Sequence, residues 1–378
     1  MPQIQITMNK LFIFGKAVSG DTFTDREKET AKLVSNFKYG INTFIVSPRR
    51  WGKTSLVKKA KSQAESNSLK IVYLDIQKCK SRKDFCEKLA SAVLSQTAGK
   101  LEEWMENAKN FLSHFTFNID MSSDPMNQFS FSLGTTQPDD SLEDILQLPE
   151  NIAKKKNCNI VICIDEFQQI ANYNDALLFQ AELRSVWQHQ ERVSYCLFGS
   201  KKHLMESIFD DTSKPFYKFG DIIYLKKIPQ EYWIKYITEK FASEGKNISE
   251  EFAAKICETV DCHSSYVQQL SWYVFQGTEK EVTQTIFDDA VEELIDQCSE
   301  MFENKTDSLS YYQMNFLKAL ADGHKNGFSS ATILKKYDLG SSANVTILKK
   351  ALIDKDFIMM ENKEVYFTDP VLKLWLKR

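Results

Sequence analysis

The sequence predicts an α/β fold: a five-stranded, mostly parallel sheet, followed by an α-helical domain and a winged-helix domain. Three observations predict it. Short apolar runs at residues 42–47, 70–76, 160–164, 195–199 and 222–225 are bounded by polar turns and alternate with amphipathic stretches. Runs of this kind are what strands buried on both faces by helices look like. From 229 to about 302 the apolar positions recur at helical spacing. After about 306 three helical patterns give way to two short strand patterns.

A chain of 378 residues can bury two or three cores. With 43% hydrophobic and 26% charged residues, its composition is that of an ordinary folded protein. A formal net charge of −3 gives no global attraction to nucleic acid or to an anionic membrane. Eight cysteines are scattered with no C-x-x-C pair, which reads as reduced core residues rather than a disulfide framework or a zinc site. The first ten residues lack the apolar stretch of a secretory leader, and no apolar run is long enough to span a bilayer. A cytoplasmic protein without a membrane partner is expected.

The elements follow in order. A helix over about 25–37 precedes the first strand. Between the second and third strands, residues 97–150 form an insertion with ten acidic and two basic residues. Within it, FTFNIDMSS and NQFSFSLG alternate apolar and polar positions around Asp124-Pro125-Met126-Asn127, the pattern of a β-hairpin. Its charge fits either a solvated embellishment or a docking surface for a protein partner, and it would repel nucleic acid. In the helical stretch, Trp233, Ile237 and Phe241 repeat every four residues, as do Phe252, Ile256 and Val260. Ser249 and Thr283 are the expected N-caps. Three helices, the third carrying Val345, Leu348 and Leu352, and strands at 357–360 and 365–367 make the winged-helix pattern.

The chemistry is carried by IVSPRRWGKTSLV, residues 45–57. A strand enters a tight loop, and the loop opens a helix. Triphosphates are held this way, by backbone N–H groups of residues such as Ser47, Arg49, Arg50, Trp51 and Ser55 and by the positive end of the helix. Pro48 lies in the same loop. Lys53 supplies a charge for the phosphates, Thr54 a hydroxyl for Mg²⁺, and Gly52 a position without a Cβ. Ser47 stands where the general pattern has glycine. Arg49 and Arg50 either touch phosphate or are paired at the surface.

The partner motif is IVICIDEFQQI, residues 160–170, a buried strand delivering two carboxylates to its C-terminal end. Asp165 is suited to holding the Mg²⁺ shell and Glu166 to deprotonating the attacking water. That pair argues for water activation rather than a kinase. Ser200, ending the next strand, either sits between that water and the γ-phosphate or caps the following helix. These patterns divide the chain into a P-loop nucleotide-binding domain (1–228), a helical lid (229–305) and a winged helix (306–378).

At this point the sequence resembles the archaeal-type ATPase family, relatives of the signal-transduction ATPases among AAA+-like P-loop NTPases. The resemblance rests on residues 14–29 (FGKAVSGDTFTDREKE), SPRRWGKTSL (47–56), IDEFQQI (164–170), LFGS (197–200), PFYKFGDIIYL (215–225), SSYVQQL (264–270) and FTDPVLKLWL (367–376). It implies ATP and Mg²⁺ as ligands, and a sensor strand between the strands of the two motifs. It also implies Asp25 and Arg26 on the adenine side. His263 would be a lid residue sensing the terminal phosphates, its alternative being a helix-start residue of no catalytic weight. Where AAA+ relatives often carry an arginine finger, this chain has Lys218, which disfavours ring-assembled hydrolysis and favours a slow ATPase switch. The alternative is a nucleotide-responsive DNA-binding regulator. Residues 307–378 hold eleven basic and eight acidic residues and a single arginine, Arg378, so DNA is the less favoured partner.

Overall fold

A computed structural model describes residues 11–16, 24–98, 106, 116–119, 129–132 and 140–378. The chain falls into two units: Arg26–Lys226, and Lys227–Arg378 together with the described residues before Arg26.

In the first unit, helix α1 (Glu27–Lys38) leads into strand β1 (Thr43–Val46), and helix α2 (Lys53–Ala64) follows the loop after it. Strand β2 (Leu69–Asp75) and helix α3 (Arg82–Thr97) come next. Strands β3 (Thr116–Ile119) and β4 (Phe129–Ser132) pair antiparallel, which is the expected hairpin; its turn at 124–127 lies outside the described residues. Helix α4 (Asp140–Lys156), strand β5 (Asn159–Asp165), helix α5 (Ala176–Trp187), strand β6 (Val193–Gly199), helix α6 (Lys202–Phe209) and strand β7 (Asp221–Tyr224) complete the unit.

The five long-range strands form one sheet in the order β2-β5-β6-β1-β7, each neighbouring pair parallel. β1 and β6 are buried along their whole lengths, and β5 from its second residue on, as their unbroken apolar runs require. A large core packs on one face of the sheet, with Trp187 stacked on Tyr195 at 3.9 Å and Phe44 on Phe209 at 3.7 Å between ring centroids. Asn42 fixes the start of β1 to both neighbours: its Oδ1 accepts from Tyr195 N at 2.9 Å and its backbone O accepts from Asp221 N at 2.8 Å. Gly220 makes this approach, since a Cβ there would lie 2.2 Å from Asn42 O.

The second unit contains helices α7 (Gln230–Ser243), α8 (Glu250–Thr259), α9 (Ser264–Gly277) and α10 (Gln284–Thr306). Ser249 and Thr283 cap α8 and α10, accepting from Phe252 N and Ile286 N. The winged helix follows as α11 (Tyr311–Ala321), α12 (Ala331–Lys336), α13 (Ser342–Asp354) and the antiparallel pair β8 (Ile358–Glu361) and β9 (Glu364–Phe367). Beyond the sequence reading there is a terminal helix, α14 (Pro370–Lys377), capped by Asp369.

Two features of this unit concern its core. Leu11 and Phe12 belong to its core rather than to the sheet: Phe12 meets Tyr236, Phe241 and Phe275 edge to face, and Leu11 O accepts from Tyr236 Oη at 2.9 Å. An apolar triplet, Leu11-Phe12-Ile13, goes where apolar partners surround it. Further, the four helices and the winged helix share one core, with α14 packed on both α10 and α11 and Trp375 against Phe302. None of the eight cysteines forms a disulfide, and seven of them are buried. Among the described residues no helix is long and apolar enough to cross a membrane.

Candidate functional site

The loop after β1 turns through Arg50, at φ 61°, and Gly52, at φ 92°. Ser47 does not adopt a positive φ, so the loop has no need of glycine there. Lys53, the first residue of α2, is 6% exposed. Its Nζ donates to Ser47 O at 3.1 Å and Pro48 O at 2.7 Å, with Ser47 Oγ at 3.4 Å. The loop thus curls round the ammonium. Pro48 has no N–H to offer a phosphate, but its carbonyl is the shortest of these anchors. Ser55, the third residue of α2, is buried.

Register sets the opposite side. β2 pairs with β5 so that Asp75 lies beside Asp165 and Tyr73 beside Cys163. The Thr54 hydroxyl donates to Asp165 Oδ2 at 2.9 Å, and Tyr73 Oη donates to the same oxygen at 2.7 Å. Burial pushes the Asp165 carboxyl above its ordinary range, with the Tyr73 and Thr54 hydrogen bonds opposing and nearby Glu166 reinforcing the rise. The Tyr73 phenol is raised too, first by burial and then by the Asp165 charge. Two hard oxygens, Thr54 Oγ1 and Asp165 Oδ2, sit within one hydrogen bond of each other. This donor set fits Mg²⁺, which takes one or two protein oxygens and completes its shell with phosphate and water.

At Glu166 the backbone leaves β5 in the left-handed region, φ 58°. Strain of this kind in a non-glycine residue recurs at functional sites. Its N–H donates to Asp165 Oδ1 at 2.9 Å. Glu166 Oε2 accepts from Ser200 Oγ at 2.8 Å and from Gln168 Nε2. Ser200 in turn accepts from Arg49 Nε at 3.2 Å. α6 begins without a side-chain cap, and the Ser200 hydroxyl is engaged with Glu166 and Arg49. Gly199 makes room for the arrangement, since a Cβ there would fall 1.7 Å from Gln168 Oε1.

Arg26 is drawn elsewhere. It is 3% exposed, at φ 76°, and its guanidinium donates to Trp51 O and Lys226 O and pairs with Glu29 at 3.2 Å. It therefore braces the loop against the segment that follows β7. Trp51 is itself buried. Asp25, at φ 56°, and His263 belong to the other unit. His263 is the N-terminal flanking residue of α9, 4% exposed, with its ring 4.9 Å from that of Tyr266.

One unit thus brings together Ser47, Pro48, Arg49, Lys53, Thr54, Asp165, Glu166 and Ser200, with Arg50, Trp51 and Gly52 in the same loop. Sequence reasoning missed Tyr73 and Gln168. Gln168 was legible as a polar residue two positions beyond the carboxylate pair. Tyr73 was not, because only the β2–β5 register places it beside Asp165.

Comparison with known proteins agrees with this fold. Residues 300–378 match a winged-helix domain model. The fold is similar to the Walker-type ATPase paby2304 of Pyrococcus abyssi, at 15% identity and TM-score 0.68, over 97% of this chain and 100% of that one. It is also similar to the ORC2 protein of Aeropyrum pernix, solved in ADPNP–ADP complexes, at 14% identity and TM-score 0.59, over 97% and 96%. The ORC1 protein of the same organism, solved with DNA, follows at 11% and 0.50, over 95% and 93%. A search of curated protein sequences found no match. Residues 23–270, well over half the chain, match the model of an ATPase domain found predominantly in Archaea, and the chain belongs to that family.

Proposed function

We propose that the protein is a slow, Mg²⁺-dependent ATPase that works as a nucleotide-controlled switch. The observation that carries this is the pair of hydrogen bonds joining the loop and the two strand ends: Thr54 to Asp165, and Ser200 to Glu166. In this reading Lys53 and the loop N–H groups hold the phosphates, and Thr54 and Asp165 hold the metal. Mg²⁺ held there would offset negative charge on the phosphates. Ser200 and Gln168 fix one oxygen of Glu166 and leave the other for the attacking water. The water oxygen bonds to the γ-phosphorus, the bond from that phosphorus to the bridging oxygen breaks, and the water proton passes to Glu166. ADP and inorganic phosphate leave.

The switch rests on the second unit. His263 packs on Tyr266, whose hydroxyl donates to Asp369 Oδ2 at 2.7 Å; Asp369 caps α14. A change felt at His263 would thus reach the winged helix through two side chains. We assign residues 1–228, 229–305 and 306–378 to nucleotide binding, lid and winged helix. Leu11 and Phe12 of the first pack with the lid. The acidic insertion suits a basic protein surface better than any nucleic acid.

A second reading is a DNA-binding regulator in which hydrolysis is incidental, suggested by the ORC1–DNA complex. The face of α13 speaks against strong DNA contact: Ile347 is 65% exposed there, and Lys349 lies over the Phe328 ring. ATP turnover with and without Mg²⁺ and duplex DNA separates the readings. Metal-dependent turnover unchanged by DNA supports the switch. Strong stimulation by DNA, or nanomolar binding of one duplex at physiological salt, supports the regulator.

A further inference from the structure

We infer that Arg49 is a catalytic residue: a cation supplied within the same chain that contacts the γ-phosphate in the transition state. The inference rests on the ATPase reading above and adds the group that stabilises the developing charge.

Position is the first argument. Pro48, the residue before Arg49, anchors the Lys53 ammonium through its carbonyl at 2.7 Å. The Arg49 guanidinium reaches from there to Ser200 Oγ at 3.2 Å, and Ser200 holds Glu166 at 2.8 Å. A phosphate met by Lys53, and a water met by Glu166, must lie along this span. Arg49 bridges the group that binds the phosphate and the group that activates the water.

Valence is the second. A guanidinium has five N–H donors in a planar fork. The hydrogen bond to Ser200 uses Nε, which orients the plane and leaves the two terminal nitrogens. The side chain is exposed, and Ser200 is its hydrogen-bonding partner among the described residues. A forked pair of donors already oriented beside the water-activating carboxylate is suited to two γ-phosphate oxygens, and it adds no reorganisation during the reaction.

Elimination is the third. No arginine occurs between Ser200 and Gly220, the stretch leading to β7. Lys218 there sits over the Tyr217 ring at 5.4 Å. Arg26 is committed to Trp51 O, Lys226 O and Glu29. In the described residues of the sheet unit, Arg49 is the arginine joined to the Ser200–Glu166 pair.

The test uses the full chain. Wild-type ATP affinity is measured first by calorimetry and turnover by phosphate release; absence of ATP binding would defeat the underlying ATPase reading itself. Given wild-type turnover, Arg49→Ala is expected to keep ATP affinity within about threefold and to lose on the order of 10³ in kcat. Arg49→Lys, which keeps the charge but not the fork, is expected to recover only a small part. ADP with aluminium fluoride, which mimics the transferring phosphoryl group, should be trapped by wild type and not by Arg49→Ala. Specific activity should be unchanged on dilution, and Lys218→Asn, tolerated at φ 53°, should turn over within twofold of wild type.

Three results overturn the inference. One is Arg49→Ala hydrolysing at the wild-type rate. Another is turnover that falls on dilution and is abolished in Lys218→Asn, which would place the cation in a neighbouring copy. The last is normal aluminium fluoride trapping by Arg49→Ala with a kcat loss no greater than that of Ser200→Ala and absent in the Ser200→Ala background. Arg49 would then act only through Ser200, as a positioning residue.

Discussion

Tyr73→Phe should weaken Mg²⁺ binding about tenfold while leaving the fold intact. The phenol donates at 2.7 Å to Asp165 Oδ2, the oxygen that also accepts from Thr54, and Asp165 is 6% exposed. A hydrogen bond to a charged group contributes about 1.5–3 kcal/mol. Part of that is recovered when the metal's own charge holds the carboxylate, so the net loss should fall near ~1.4 kcal/mol, which is tenfold in affinity. Losses of 10–100-fold are usual when a partner of a metal-holding side chain is removed. The ring is retained, so packing against Phe198, 6.2 Å away between centroids, should survive. The direction on pH follows as well. The Tyr73 hydrogen bond opposes the burial-driven rise at Asp165, so its loss should move the acid limb of Mg²⁺ binding to higher pH. Titrating Mg²⁺ into the ATP-bound protein across pH, followed by calorimetry, measures both. An unchanged affinity together with an unchanged acid limb would refute the role given to Tyr73.

Lys53→Ala should lower ATP affinity at least 100-fold by calorimetry, since it removes the charge encircled by the loop. Glu166→Gln should keep ATP bound and cut single-turnover hydrolysis by 10² or more. Gln168→Leu, which removes one of two donors to Glu166 Oε2, should lower kcat about tenfold at unchanged ATP affinity. Metal-free stability should depend on pH through Asp165: its folded pKa lies above the unfolded value, so its favourable contribution is complete below the ordinary carboxylate range and is lost as pH rises through the raised value. Denaturant titrations in chelator should show that fall, and Asp165→Asn should flatten it.

The elements most legible in the sequence were those whose environment is uniform. Residues 160–164 are apolar without interruption because β5 is covered on both faces, and the reading matched the observed strand to within a residue at each end. Ser249 and Thr283 were legible because a cap acts within three residues of itself. What escaped was non-local. Tyr73 looks like any strand aromatic until register sets it beside the carboxylate strand, and the hydrogen bonds of Arg26 to two carbonyls distant in sequence are equally non-local. The terminal helix α14 was different: Asp369-Pro370 is a cap followed by proline at the first turn, a start signal that local reasoning could have found.

That helix also bears on how a nucleotide signal would travel. A lid with a core of its own could tilt without disturbing the winged helix. Here α14 packs on α10 and α11 at once, and the core runs from Trp233 through Leu294 and Phe302 to Leu352 and Leu372 without a break. Closely packed interiors shift between discrete arrangements rather than deform continuously. The Tyr266–Asp369 hydrogen bond is then a joint between lid and winged helix, because it ties α9 to the residue that starts α14. Tyr266→Phe removes that joint while keeping the ring beside His263, so it separates reading the nucleotide from reporting it. ATP binding and turnover should hold within twofold, while any ATP-dependent change in hydrogen exchange at α14 should disappear. If that change persisted in full, the signal would have to pass through packing alone.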